Sequence, residues 1–461
     1  MIETKVVCNH KVMVQSPIPI WRLLEMEIND SLNEHGTLRM KVRIHSNNHE
    51  KALTESYQKE KIQIFGFHGD DTTLIFCGMI RDLLFDWSGQ VLEIQIYAVS
   101  YSIDLEQETK SRSFQNPAFE YEHVIEQVMR ESGGRFLWRV ERNRKIEHPI
   151  IQYKENNWVF LKRLASHFHR KLQVSITTDK ADIYFGINKG AERDIEEVEV
   201  LECGVSNLYY LGDGYTQNHS KAGYRYLKLR HKSSKWQMGD YLKYQRSRFT
   251  VFERKIIFEK GELMFYETLG AEGMLHQEYL GHEKLSGMQL QGEITRVEEE
   301  NVYIQLDIDE EERAEYPWPW IPETGNLCYV MPEVGSRILL TITSDREKDG
   351  MATHILRMNE IRQDANHREF LTKDDKLLAM HPKEILLRGE TAMISMMDGK
   401  GIMLKSDQEI KMIAEGNINI NAGNELSVEA PDQVLLQNRQ SNIELCKNIN
   451  IFSPGGVIQK S

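Results

Sequence analysis

The sequence predicts a mainly β chain with two β-barrels and a small helical insert, then an OB-fold barrel, and finally a C-terminal intertwined trimeric β-helix. Strand-like runs with polar turns fill most of residues 1–285, and five short runs are compressed into residues 286–360. An eight-residue repeat occupies residues 384–461, after a polar neck at 361–383. We place the domain boundaries between these segments.

The repeat in residues 384–461, which we call the octad segment, keeps one aliphatic residue at a constant spacing of eight, with a one-residue slip near its end. This column consists of Leu386, Ile394, Ile402, Ile410, Ile418, Leu426, Val434, Ile443 and Ile451. A second apolar residue usually follows two positions later, and turn residues such as Asp398-Gly399 fill the rest. Apolar residues at i and i+2 are typical of a short strand with one buried face.

Eight residues cover only one side of a prism, because the coils of single-chain solenoids need about 20 residues or more. Three chains that each supply one side would close the prism and bring the aliphatic column onto its axis. The octad segment therefore predicts a homotrimer whose core is the column. A flat meander of short strands is the alternative that the repeat leaves open.

Composition limits the partners and the compartment. With 57 basic and 70 acidic residues, the formal net charge of −13 disfavours a nucleic-acid partner and an anionic membrane surface. We find neither a signal peptide nor the run of about 20 apolar residues that a membrane span needs. We expect assembly in the cytoplasm without stable membrane insertion. The five cysteines contain no CxxC pair, which indicates reduced structural thiols.

The N-terminal region alternates strands with two helices. Strand-like runs cover residues 5–14, 38–44, 62–67, 73–84 and 91–99. Apolar residues at helical spacing predict helices near 119–130 and 157–168, the second capped by Asn156 or Asn157. Further strand-like runs between residues 172 and 269 indicate a second barrel.

The predicted OB barrel contains runs at 288–297, 302–306, 327–331, 336–341 and 352–356. We expect its acidic stretch, residues 307–312, to be a solvated loop. The aromatic group from Tyr316 to Trp320 lies in an acidic neighbourhood, so packing against the first domain or a trimer neighbour is favoured over a binding role.

No catalytic motif stands in a suitable strand and helix setting. His167 and His169 are two residues apart on a predicted helix and so diverge, whereas metal ligands on a helix favour i and i+4 spacing. Residues 345–350 lack the alternating ligands of a calcium loop and predict a turn. We therefore assign no catalytic, cofactor-binding or metal-binding residue, and we predict that the chain is not an enzyme.

Three motifs resemble one family. The run from Ile151 to Ala165, IQYKENNWVFLKRLA, resembles the signature helix of the hub domain in VgrG proteins, which are the spike proteins of contractile injection systems such as type VI secretion. Residues 329–337, YVMPEVGSR, are similar to the hallmark of that family's OB domain, and residues 76–80, FCGMI, to its first-barrel hairpin. The resemblance covers the entire chain.

The resemblance implies a trimeric spike that caps an inner tube and punctures a target envelope mechanically. It implies contacts with a hexameric tube protein and baseplate components at the hub, and with a PAAR-like cap or effector at the tip. The corresponding tip residues are Ser453, Pro454, Gly455, Gly456, Val457 and Ile458. Such a spike is secreted or injected with its particle, and we expect no enzymatic domain after the octads. A baseplate hub-spike of a contractile-tailed phage, or a carbohydrate-binding tail adhesin, remain alternatives.

Overall fold

The structure is a computed structural model, and its chain divides into two compact units, Met1–Met358 and Asn359–Ser461. It describes residues 5–8, 11–45, 48–54, 56–68, 71–88, 91–194, 198–216, 219–322, 330–356, 366–446 and 449–456. The prediction of a mainly β chain is confirmed. Among the described residues, no helix has the length and apolar character that crossing a membrane requires.

The first unit is built on a twelve-stranded antiparallel sheet. Its strands are β1 (Lys5–Cys8), β2 (Val12–Ser16), β3 (Ile20–Ser31), β4 (Thr37–Ile44), β5 (Lys61–His68), β6 (Asp71–Ser88), β7 (Val91–Ser100), β13 (Glu199–Val205), β14 (Arg225–His231), β15 (Tyr241–Tyr244), β16 (Ser247–Glu259) and β17 (Glu262–Gly270). The order across it is β1-β2-β5-β6-β7-β4-β3-β16-β17-β14-β13, and β15 pairs with β16. Because β3 pairs with β16, the two predicted barrel regions share one hydrogen-bonded sheet.

Two separate hydrophobic cores line this sheet. The larger includes Ile28 and Ile96, and the smaller includes Leu229 and Val251. The sequence pattern did not predict β3, although it is one of the longest strands. Its pairing with β4 shifts register twice before Met26, so buried residues do not alternate regularly at its beginning.

The helical insert connects the two halves of the sheet. Its elements are β8 (Thr109–Phe114), α2 (Tyr121–Glu131), β9 (Phe136–Trp138), β10 (Ile150–Asn156), α3 (Asn157–Ser166), β11 (Leu172–Val174) and β12 (Ile183–Phe185). Shorter helices lie elsewhere: α1 (His49–Thr54), α4 (Leu208–Leu211) and α5 (Asp213–Thr216). The side chain of Asn156 accepts a hydrogen bond from the Val159 backbone N–H at 2.8 Å, which caps α3. Trp158 and Leu161 then enter the larger core.

A five-stranded sheet forms the OB-type barrel. Its strands are β18 (Met288–Glu298), β19 (Asn301–Leu306), β20 (Trp318–Pro319), β21 (Arg337–Ile342) and β22 (Gly350–Ile355), in the order β20-β19-β18-β21-β22. A bridge between Trp320 and Ala352 brings the two edges together. The predicted strand at 327–331 is wrong for Val330 and Met331, which lie outside any strand, while residues 327–329 lie outside the described residues. The short strand β20 is the fifth because Trp318 fills the barrel core.

The second unit contains two antiparallel meanders. The first comprises β23 (Arg368–Leu371), β24 (Leu377–His381), β25 (Glu384–Arg388), β26 (Ala392–Met397) and β27 (Gly401–Ser406), and the second comprises β28 (Val434–Gln437), β29 (Asn442–Leu445) and β30 (Ile449–Phe452). The sequence predicted a polar neck at 361–383, but its described part, residues 366–383, includes β23 and β24. These strands form because their apolar residues extend the face presented by the first octads.

We expect Trp318→Phe to destabilise the first unit. The Trp318 indole N–H donates to Gln115 Oε1 at 3.1 Å, and both residues are buried, so the substitution removes the donor and leaves the amide oxygen unpaired. Such a loss costs about 1–3 kcal/mol. Denaturant unfolding monitored by fluorescence measures it. Trp320→Phe is the matched control, because its N–H bonds the Val330 carbonyl at an exposed position; equal effects of the two substitutions would contradict the expectation.

Candidate functional site

The first meander of the second unit has one face of exposed apolar side chains. Residues that oppose each other across an antiparallel pair point to the same side of the sheet, so the register defines the face. Ile394 opposes Leu387 on one side and Leu404 on the other, and Met396 opposes Ile385 and Ile402. We call this the column face, and its exposed apolar members are Phe370, Leu378, Met380, Ile385, Leu387, Ile394, Met396, Ile402 and Leu404.

Leu386 lies on the opposite face, and here the structure differs from the predicted column. The turn after Arg388 sets a register in which Leu386 opposes Ser395 rather than Ile394. Ile385 and Leu387, which flank Leu386 in the chain, point to the column face. The sequence pattern had assigned that face to Leu386. The opposite face also carries polar contacts: the buried Ser395 hydroxyl donates to Glu384 Oε1 at 2.6 Å. The opposite face therefore combines polar contacts with apolar side chains, among them the exposed Leu371 and Met403.

Residues 407–433 continue the octad pattern but form no strand in the described chain. Every side chain in this stretch is exposed. The column residues Ile410, Ile418 and Leu426 are 57%, 51% and 59% exposed. No backbone–backbone hydrogen bond joins residues 408–433 to any other described residue. Backbone N–H and C=O groups that become buried beside apolar side chains need protein partners, and no other backbone group of the described chain supplies one to residues 408–433.

The second meander explains the slip in the repeat. Val434 opposes Leu445, Leu436 opposes Ile443, and Ile443 opposes Ile451, so all five side chains share one face. The extra residue before Ile443 gives the first hairpin a register that keeps both apolar columns on that side. With the same pairing register, a column residue at position 442 would have pointed to the opposite face, because Asn442 opposes Gln437.

The predicted tip residues follow β30. Gly456 has a φ of +84°, in the left-handed region that glycine adopts without strain, and its N–H donates to the Ser453 carbonyl at 3.1 Å. Pro454 and Gly455 form the turn between them and are exposed. Val457 and Ile458 lie outside the described residues.

A buried ionic cluster joins the helical insert to the OB-type barrel within the first unit. Arg163, on α3, donates to Glu347 Oε1 at 2.7 Å, to Glu155 Oε2 at 3.0 Å and to the Ile151 carbonyl at 2.7 Å. Glu347 also accepts from the Ile151 N–H at 3.2 Å. All three charged side chains are buried. We call Arg163, Glu155 and Glu347 the ionic cluster.

Burial and the central guanidinium set the charges around this cluster. Burial disfavours the charge of Arg163, but Glu347 and Glu155 together raise the pKa of the guanidinium. Burial raises the pKa of Glu155, and the Arg163 charge opposes this shift. Burial followed by Arg163 lowers the pKa of His282 to about 4, so this ring is neutral near pH 7. Its Nε2 accordingly accepts from the Tyr153 N–H at 3.3 Å.

Sequence reasoning did not identify this cluster. Arg163 lies within the quoted motif, and a charged residue on the buried side of α3 was the available signal. Glu347 was assigned to a turn, and its partner Arg163 is too distant in sequence for any spacing rule. His167, which was given no metal role, is half-buried; its Nδ1 lies 2.8 Å from the Tyr121 hydroxyl, and burial lowers its pKa to about 3.

The aromatic group after the acidic loop contacts the helical insert. The Trp318 indole N–H donates to Gln115 Oε1, and the Tyr316 hydroxyl lies 3.3 Å from His148 Nδ1. Asp309, from the loop predicted to be solvated, instead accepts from the Ser113 hydroxyl at 2.6 Å, and burial raises the pKa of its carboxyl. These contacts and the ionic cluster hold the OB-type barrel against the insert.

No known family model matches the sequence, and no curated protein matches it. Solved structures share its fold. The c3393 protein of E. coli, described as a component of the type VI secretion system with structural similarity to the T4 bacteriophage tail proteins gp27 and gp5, has a TM-score of 0.53 at 11% identity over 76% of this chain and 99% of its own.

Two structures of PdpA–VgrG complexes match this chain with similar TM-scores and sequence identities. The half-lidded Francisella complex has a TM-score of 0.57 at 11% identity over 86% of this chain and 89% of the other. The lidless complex has a TM-score of 0.56 at 10% identity over 87% and 99%. The chain therefore shares its fold with these secretion-system structures, as the motifs predicted.

We expect Arg163→Met to destabilise the first unit strongly. Removing the guanidinium leaves two buried carboxylates without a cation, and breaking a buried ion pair from one side costs about 3–5 kcal/mol. Burial already raises the pKa of Glu155, and losing the Arg163 charge that opposes this shift should raise it further, so the loss of stability should grow as the pH rises through the ordinary range of a glutamate. Thermal melting at about pH 5 and pH 8 measures both effects, with Lys162→Met as the control. A loss no larger than that of the control at either pH would contradict the role of the cluster.

Proposed function

We propose that this chain is the hub and spike subunit of a contractile injection machine, and that it acts as a homotrimer. The observation that carries the proposal is the stretch 407–433, which keeps the octad pattern while a single chain leaves its apolar side chains exposed and, from residue 408 onward, forms no backbone–backbone hydrogen bond with another described residue. The fold shared with VgrG and with the c3393 protein supports the same function.

In the proposed trimer, each chain contributes its first meander as one side of a prism, with the column face toward the axis. Residues 407–433 then pair with the equivalent stretches of the other two chains. The trimer core is Leu387, Ile394, Ile402, Ile410, Ile418, Leu426, Val434, Ile443 and Ile451. The exposed members of this set are already partly covered, so burying the rest of each contributes about 1 kcal/mol. Summed over three chains, this favours assembly strongly.

The first unit is proposed to be the hub. It would contact a hexameric tube protein and baseplate components, and pass axial force to the octad segment during puncture. The ionic cluster and the Trp318–Gln115 contact suit this role, because buried polar groups that bond each other across two elements hold those elements in one geometry. The proposed function is mechanical and needs no catalytic residue.

The tip, residues 453–458, is proposed to bind a PAAR-like cap or an effector. The turn at Ser453 to Gly456 is exposed except for Ser453, which is partly buried, and it ends the second meander. Deleting residues 453–461 tests this proposal by pull-down with a PAAR-repeat cap protein. Binding should be lost while the mass of the trimer is unchanged, and binding that survives would locate the docking surface elsewhere.

We expect Leu387→Asp to weaken the trimer far more than Leu386→Asp. The two leucines are adjacent on β25 and point to opposite faces, so only the first would place three carboxylates near the axis in an apolar core. Light scattering should report three times the chain mass for the unmodified protein. Melting of the octad segment should fall sharply for Leu387→Asp and modestly for Leu386→Asp.

The matched pair also tests the orientation of the sheet. A stable folded monomer of the unmodified protein would contradict the proposed trimer. A larger effect at Leu386 than at Leu387 would contradict the assignment of the column face as the contact surface.

A further inference from the structure

A cluster of metal-ligating side chains lies at the start of the second unit. His367 comes directly before β23, Glu369 lies within β23, and His381 ends β24. The register pairs Arg368 with Met380 and Glu369 with Ala379, which brings His367 opposite His381. By the same alternation all three side chains lie on the face opposite to the column face. They remain outside the proposed trimer core.

The three side chains converge on one point. One ligand atom from each of His367, Glu369 and His381 lies within 4.8 Å of the others. His381 Nε2 is 2.9 Å from Glu369 Oε1, and the two imidazole rings stack with centroids 4.1 Å apart. All three are half-buried. Zn–N bonds of about 2.0–2.1 Å imply ligand atoms about 3–3.5 Å apart, so small side-chain rotations would complete the coordination.

Glu384 lies beside His381 on the same face of the sheet. The Nδ1 of His381 lies 3.9 Å from Glu384 Oε2, and Glu384 Oε1 accepts from the buried Ser395 hydroxyl at 2.6 Å. At 3.9 Å, His381 Nδ1 and Glu384 Oε2 are not hydrogen-bonded, but a small side-chain rotation on metal binding would let Glu384 accept from the Nδ1–H of His381. That contact would hold the tautomer that presents Nε2 toward Glu369 and His367.

We propose that His367, Glu369 and His381 form a binding site for a divalent transition-metal ion, with Zn²⁺ the preferred occupant. Two imidazole nitrogens and one carboxylate oxygen are a common protein ligand set for Zn²⁺, and the fourth position is taken by water. The ion would tie β23, an edge strand of the first meander, to β24. Binding to the folded state alone stabilises that hairpin. The proposal does not depend on the trimer.

The test is zinc titration of the full chain after chelator treatment. Calorimetry should give one Zn²⁺ per chain, and the melting temperature of the second unit should rise with Zn²⁺ but not with Mg²⁺. His381→Ala and Glu369→Gln should each lower the zinc affinity by more than a hundredfold. Glu384→Gln should lower it by about tenfold to a hundredfold, as expected for the partner of a ligand. His123→Ala, which replaces an exposed histidine on α2, should leave it unchanged.

Cobalt absorption of the unmodified chain provides a second measurement that does not require a folded variant. Bound Co²⁺ should show the intense visible bands of a four-coordinate site, and Zn²⁺ should remove them. The absence of zinc binding, equal affinity for Mg²⁺, or zinc affinity unchanged by His381→Ala or Glu369→Gln would overturn the proposal. A monomeric protein that still binds one zinc would reject the proposed trimer and leave the metal site standing.

Discussion

The second unit depends on a constraint that one chain cannot satisfy. Residues 407–433 present an aliphatic column in an exposed stretch, and from residue 408 onward the stretch forms no backbone–backbone hydrogen bond with another described residue. Water could satisfy those backbone groups, but it leaves the column side chains exposed at a cost that grows with apolar area. Strands from other copies of the chain would satisfy the backbone and bury the column together. The meanders on either side present faces of the same apolar character, which explains why the repeat continues through all three stretches.

Much of the fold follows from local pattern. Runs of alternating residues located most strands of the first sheet and the OB-type barrel, and helical spacing located α2 and α3. The sequence pattern missed strands where the pairing between strands, rather than local alternation, determines which residues are buried. The beginning of β3 is bulged, so its buried residues do not alternate. β20 is too short to show a period, and it is a strand because Trp318 is buried in the barrel core.

Leu386 shows the limit of a repeat for locating a site. A spacing of eight identifies equivalent positions, but the face that each takes depends on the turn between two strands, and one residue of difference reverses it. The slip before Ile443 is the converse case, in which an irregular spacing keeps the column on one face. The ionic cluster and the His367, Glu369 and His381 group lay beyond sequence reasoning, because each unites residues that only the pairing of elements brings together.

Hydrogen exchange of the amides of residues 408–433, measured by mass spectrometry in the intact protein, tests the central claim most directly. If other chains supply the missing strand partners, these amides should exchange as slowly as those of β25 to β27. They should be among the well-protected segments of the second unit, although a single chain gives them no backbone partner. Exchange at the rate of an unstructured peptide, with β25 to β27 still protected, would contradict pairing between chains.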